Sequence, residues 1–243
     1  MLDLRRKSVK DGSVGSGDVG GDMGEKAAPR ARRAALDRDR ALAAAVTLAD
    51  AEGIDKLSMR RLARSLDVEA MSLYHHVRNK EDILDGMVDL VFAEIELPAE
   101  GGDWVDEMRL RAGSARAALT RHPWAIGLMD SRRSPGPATL RHHDAVIGCL
   151  RAAGFSVASA AHAFSLLDSY VYGFVLQEVG LPFETPEEVE EVAGQLLAAL
   201  PADEYPYLVE LTRDHVLRPG YDHADEFAWG LDRILGALEP GSV

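Results

Sequence analysis

The chain has a single cysteine, Cys149, so no disulfide can close within it. With Val146, Ile147 and Leu150 around it on a helical pattern, the thiol reads as a small buried side chain rather than a reactive one. No stretch approaches the ~18 consecutive apolar residues that a bilayer span needs. Arg5, Arg6 and Lys7 near the start are not followed by the apolar segment of a secretory leader. These absences imply a cytoplasmic protein without a membrane partner. Period-two alternation is also missing, which excludes a convincing strand, and no repeat of 20–50 residues is present. No Ser/His/Asp, metal or phosphate-loop signature appears, so neither an enzyme nor a cofactor is indicated. What remains is an all-α chain whose apolar fraction of 47% is enough for a real core.

Charge is unevenly spread. The net charge is -13, yet residues 30–80 hold 11 Lys and Arg against 7 Asp and Glu, a net of +4. Residues 81–243 hold 11 against 28, a net of -17. Phosphates respond to local charge, so the positive segment is a candidate nucleic-acid face, with an ordinary solvated helix as the alternative.

Residues 1–33 read as a disordered tail: six glycines between Gly12 and Gly24 alternate with Ser and Asp, and little is available to bury. Met23 is an alternative start. Arg30, Arg32 and Arg33 form a basic arm that can reach a minor groove or stay solvated. Residues 34–82 follow as a first domain. Leu42, Ala45, Val46 and Ala49 repeat at helical spacing, and Gly53 stops that helix. Ser58 caps a second helix, Asp67-Val68 turns the chain, and a short helix runs from about Glu69 to His76. Asn79 caps a helix over 80–96 that links to a second domain, residues 83–240. There, helices are expected over Trp104–Arg121, Thr139–Ala153, Ser156–Val179, Thr185–Leu200, Pro206–Leu217 and Ala224–Leu238. A short piece is expected at Trp124–Asp130, and Ser131–Pro137 is a loop.

Two short helices, a tight turn and a capped longer helix are the build of a helix-turn-helix. Leu62, Ala63, Leu66, Val68, Leu73 and Val77 pack inward. Outside lie the small or neutral Ala70, Met71 and Ser72, then Tyr74, His75, His76 and Lys80. Small groups let the backbone enter a major groove about 12 Å wide, and the polar tips can reach phosphates. ADAEGI, LSMRRLARSL and above all LYHHVRNKEDIL closely resemble the DNA-binding domain of TetR-type (tetracycline-repressor-like) regulators. HHDAVIGCLRAAGFSVASAAHAFSLLDSYVYGFVLQE and EFAWGLDRILGALE resemble the C-terminal domain of the tetracycline repressor subgroup.

That resemblance implies double-stranded operator DNA as a partner. It places Ser58 and Arg60 near the backbone or a base, Ala70, Met71 and Ser72 at base edges, and Tyr74, His76 and Lys80 on phosphates, with His75 stacking or touching backbone. Asp67 replaces a frequent turn glycine and must tolerate a left-handed conformation. It also implies a homodimer, with the helices carrying Phe164, Leu167, Val171 and Val175, and Phe227, Leu231, Ile234 and Leu235, forming a four-helix interface. An intrachain core is the alternative for those residues. Gly230 and Gly236 point to close helix contact there. Trp104, Met108, Arg111, Trp124, Met129, His142, Phe164 and Tyr170 can line a cavity for an unknown small apolar effector.

His142-His143-Asp144 does not suit a metal, because adjacent helical residues diverge by about 100°. Asp130 and Arg133 stand where the tetracycline repressor presents its magnesium-binding residues, but the loop lacks the histidine. The function implied is a ligand-responsive repressor that releases a palindromic operator. The alternatives are an activator, a constitutive DNA-binding regulator, an enzyme or a helical interaction module.

Overall fold

The computed structural model describes residues 36–99, 101–183 and 185–241. The expected tail, its basic arm and the alternative start at Met23 lie outside those residues. The described chain is helical throughout, with no strand among the described residues.

Helix α1 (Arg38–Glu52) is capped by Asp37, whose carboxylate accepts from the Arg40 amide at 2.8 Å. It ends at Gly53, whose φ of 86° a side chain would resist. Ser58 caps α2 (Met59–Leu66). The turn that follows runs through Asp67 at φ 54° and ψ 50°, the left-handed conformation anticipated for it. Helix α3 (Ala70–Leu73) is shorter than the residue pattern predicts. Its continuation to His76 tightens into i→i+3 bonds, Tyr74 to Met71 at 3.2 Å and His76 to Leu73 at 2.9 Å. Asn79 caps α4 (Lys80–Ala93) by accepting from the Asp82 amide at 2.8 Å. The expected last turn of α4 is likewise a 3₁₀ tail that seats Ile95 in the core.

The rest comprises α5 (Trp104–Arg121), α6 (Pro137–Ala152), α7 (Val157–Glu178), α8 (Pro186–Ala199), α9 (Pro206–Leu211) and α10 (His223–Ala237). Pro137 opens α6 two residues before the predicted start, where a missing N–H costs nothing. The piece after His122 is a single 3₁₀ turn, Pro123–Ala125, followed by turns. Thr185 and Glu188 complete the capping box of α8. Beyond α9 the chain widens into a π-turn over Thr212–Val216, with Leu217 donating to the Thr212 carbonyl at 2.9 Å.

One continuous apolar core joins α1 through α7 and α10. Helix α4 packs on α1 and α6, α5 on α7, and α10 on α7 and α5. The α1–α4 contact is close: a Cβ on Gly86 would run into the Leu42 side chain.

The helices expected at the dimer interface also contribute to this core. Leu167, Val171 and Val175 of α7, with Phe227, Leu231 and Leu235 of α10, are buried inside the single chain, and Phe164 and Ile234 are half-buried against the same core. The six buried side chains serve the intrachain core. The exposed faces of the two helices carry Leu166, Leu176 and Trp229 instead. Gly230 does serve close contact, under the Tyr170 hydroxyl of α7, whereas Gly236 faces open space.

Candidate DNA interface and effector site

The helix-turn-helix sorts its residues by burial. Leu62, Ala63, Leu66, Leu73 and Val77 are buried, while Ser58, Arg60, Met71, Tyr74, His75 and Lys80 are exposed. Ala70, Ser72 and His76 are half-buried beside them. Met71 is the outermost apolar side chain of α3, 72% exposed. The Ser58 hydroxyl accepts from the Arg61 amide at 3.3 Å, which leaves its own proton free to donate.

The cations fall into two sets. Arg38 holds Asp82 through two bonds of 3.0 and 2.9 Å, tying α1 to α4. The Arg38 hydrogen bond holds the Asp82 carboxyl below the usual carboxylate range. Arg61 pairs with Glu52. Lys56, Arg60, Arg64 and Lys80 have no ion pair among the described residues. Lys56 and Arg64 were not singled out from the sequence. Counting charge within the segment is the signal that contains them.

Inside the body, α5, α6 and α7 converge on a polar cluster. Arg111, 1% exposed, donates from Nη2 to Asp168 at 2.5 Å and from Nε to His142 Nε2 at 3.1 Å. The Tyr172 hydroxyl lies 3.5 Å from the other Asp168 oxygen. Burial pushes the Asp168 carboxyl up, against the pull of the adjacent guanidinium. Burial, with Arg111 beside it, drives the His142 pKa down to about 3, so the ring is neutral. Phe92 of α4 packs on His142 and His143 with centroids 5.1 and 5.3 Å away, and Phe164 packs on His143 at 5.3 Å. Next to His143, a cleft of about 170 Å³ opens between α4, α6 and the loop from Met129 to Pro135.

The expected effector residues therefore separate. Arg111 and His142 meet in the cluster, Phe164 packs on its His143 edge, and Met129 lines the adjacent cleft. Met108 is core. Trp104 packs edge-on against Phe155. Tyr170 donates to the Phe227 carbonyl at 2.9 Å and binds α7 to α10. Trp124 is elsewhere altogether: its indole donates to Asp50 of α1 at 2.6 Å. Sequence reasoning missed Asp168 and Tyr172. A lone carboxylate inside the apolar run of α7 was the available signal.

Trp124 belongs to a clasp between the body and α1. His122 Nδ1 lies 2.8 Å from Asp50, and its Nε2 lies 3.1 Å from Glu94 just past α4. Arg121 donates to the same Glu94 at 2.6 Å. Burial pushes the Glu94 carboxyl up, but Arg121 and His122 together hold it below the usual range. Among the described residues no group of three or more His, Cys, Asp or Glu forms a metal site, and the His142 and His143 rings diverge by 64°. No helix among those residues is long and apolar enough to cross a membrane.

A helix-turn-helix with unpaired outward cations, built onto an acidic helical body, defines a DNA-binding transcription regulator. Residues 41–87 match the bacterial regulatory proteins of the tetR family, and residues 97–240 match the tetracyclin repressor-like C-terminal domain. The chain belongs to the TetR family. It is 33% identical over 93% of its length to the HTH-type transcriptional repressor DrrR1 of Streptomyces coeruleorubidus, covering 87% of that protein. It is 38% identical over 71% of its length to an HTH-type transcriptional regulator of Saccharopolyspora erythraea, covering 73% of it. The structure of the Streptomyces coelicolor TetR family protein ActR in complex with (S)-DNPA matches with a TM-score of 0.70 at 31% identity, over 86% of this chain and all of that one.

Proposed function

We propose that this protein is a cytoplasmic, homodimeric repressor that binds a palindromic operator through residues 34–82 and releases it when a small molecule enters the body. The carrying observation is the set of exposed, unpaired cations on the helix-turn-helix. Arg60, Arg64 and Lys80 are left unpaired around the exposed α3, while Arg111, Arg116 and Arg121 are bound to carboxylates within the body. Met71 and Ala70 at the tip favour contact with thymine methyls over bidentate base readout. Ser58, Arg60, Tyr74, His76 and Lys80 then position the backbone.

The partner-facing surface is Leu166 and Leu176 of α7 with Trp229 of α10. In a dimer the two α3 helices would sit one turn of duplex apart, about 34–36 Å. ActR, bound to (S)-DNPA, supports a ligand in the body, and DrrR1 supports repression. Effector binding needs only to favour one arrangement of α4 over the other. Selecting bound duplexes from a random pool with the full chain should enrich an inverted repeat. Enrichment of no sequence, or of a single unrepeated half-site, would overturn the reading.

A further inference from the structure

The Asp82 carboxylate is not needed by its own helix. Asn79 already caps α4 by accepting from the Asp82 amide at 2.8 Å, and Glu81 stands in the same positive first turn. The Asp82 side chain bonds outside α4 instead, in two directions. Toward α1 it takes both terminal nitrogens of Arg38, at 2.9 Å on Oδ1 and 3.0 Å on Oδ2, a fork that fixes the plane of the carboxylate. Toward α3 its Oδ2 accepts from the backbone amide of Arg78 at 2.8 Å. At 11% exposure the carboxylate is largely withdrawn from water, where charge-assisted bonds hold most firmly.

Arg78 and Asn79 form the short link between the 3₁₀ tail of α3 and α4, and buried Val77 anchors the link from the α3 side. The link displays cations at both its ends. The Arg78 side chain is 89% exposed, and Lys80, which follows Asn79, is exposed with no ion pair among the described residues. We infer that Asp82 is a positioning residue for operator binding: braced by Arg38, its carboxylate fixes the Arg78 amide and so sets where the Lys80 ammonium meets a phosphate. The carboxylate acts through the link and touches no phosphate itself. The inference rests on the reading that Lys80 contacts the DNA backbone, and it adds the residue that aims it. Charge alone argues the other way, since an anion beside a phosphate-binding lysine opposes DNA. Removing Asp82 therefore tightens binding if only its charge matters and weakens binding if it positions Lys80.

Two measurements on the full chain test it. Without DNA, NMR hydrogen exchange should show the Arg78 amide protected in the parent and exchanging at least about tenfold faster in Asp82→Ala, with the Leu62 and Leu66 amides unchanged. An Arg78 amide equally fast in both overturns the inference. Affinity is then read on the inverted-repeat duplex recovered from the random pool, at 0.1 M salt. Asp82→Ala should weaken binding about tenfold in the parent and in Arg60→Ala, but no more than about twofold in Lys80→Ala, where nothing is left to aim. Tighter binding by Asp82→Ala, or an equal loss in the Lys80→Ala background, overturns the inference. Exchanging the pair, Arg38→Asp with Asp82→Arg, should recover most of the urea midpoint lost in Asp82→Ala but not the affinity, because a guanidinium cannot accept from the Arg78 amide. Recovery of both reduces Asp82 to a structural pair and overturns it too. Lys80→Ala alone judges the contact beneath: unchanged affinity removes the reading on which the inference rests, whereas a loss there with a gain in Asp82→Ala removes the inference alone.

Discussion

Two arginines at each end of this molecule show the side chain used in opposite ways. Around the helix-turn-helix, Arg60 and Arg64 project into solvent with no ion pair among the described residues. In the body, Arg111 is fully enclosed and Arg116 is clamped to Glu178 while lying 5.4 Å over the Phe174 ring. The same side chain is a free charge for an outside polyanion in one place and an internal fastener in the other. Total charge conceals this. Pairing reveals it, because a paired guanidinium has little attraction left for a phosphate.

Breaking the internal set should have the largest effect. Arg111→Met strands the Asp168 carboxylate and removes the partner of His142, at an expected cost of about 3–5 kcal/mol in urea unfolding. Replacing Asp168 with Leu as well should recover much of that, whereas an unrecovered double variant would mean the pair is not the source. The external set should behave in the reverse manner. Arg60→Ala with Lys80→Ala should leave stability within about 0.5 kcal/mol of the parent. Operator affinity should fall roughly fifty-fold at 0.1 M salt, and the salt slope should shrink by about two. A stability loss matching that of Arg111 would erase the distinction.

The smallest effect sharpens the contrast by pH. His142 is held neutral with a folded pKa of about 3, below its unfolded value. Its contribution is therefore complete above about pH 6.5 and is lost as acid approaches the folded value. Between pH 6.5 and 5 the chain should lose about 1–2 kcal/mol more than His142→Gln does. Equal acid sensitivity of the two would show that the ring is solvated.

The DNA-facing half was legible because its signals are local. Caps at Asp37, Ser58 and Asn79, the stop at Gly53 and the left-handed Asp67 all lie within a few residues of the structure they determine. The body was legible as helices but not as a site. Trp124, Arg111 and His142 look alike in sequence, as polar-tipped residues on helical patterns. Which of them meet depends on how α5, α6 and α7 cross, and Trp124 turned instead to Asp50, 74 residues away. The α7 and α10 stripes carried a further ambiguity. An apolar face can seal its own chain or join two, and the sequence pattern does not show that Leu167, Val171 and Leu231 are buried within the chain.

Helix α5 reaches further than its length suggests. Arg111 stands in its middle and His122 caps its end, roughly 16 Å on at 1.5 Å per residue. A single stiff rod thus has its midpoint in the buried Arg111–Asp168–His142 cluster and its tip latched to Asp50 of the first helix. A displacement of the rod's midpoint along its axis would also move the latch, which links the buried cluster to the first helix without a bend in any intervening segment.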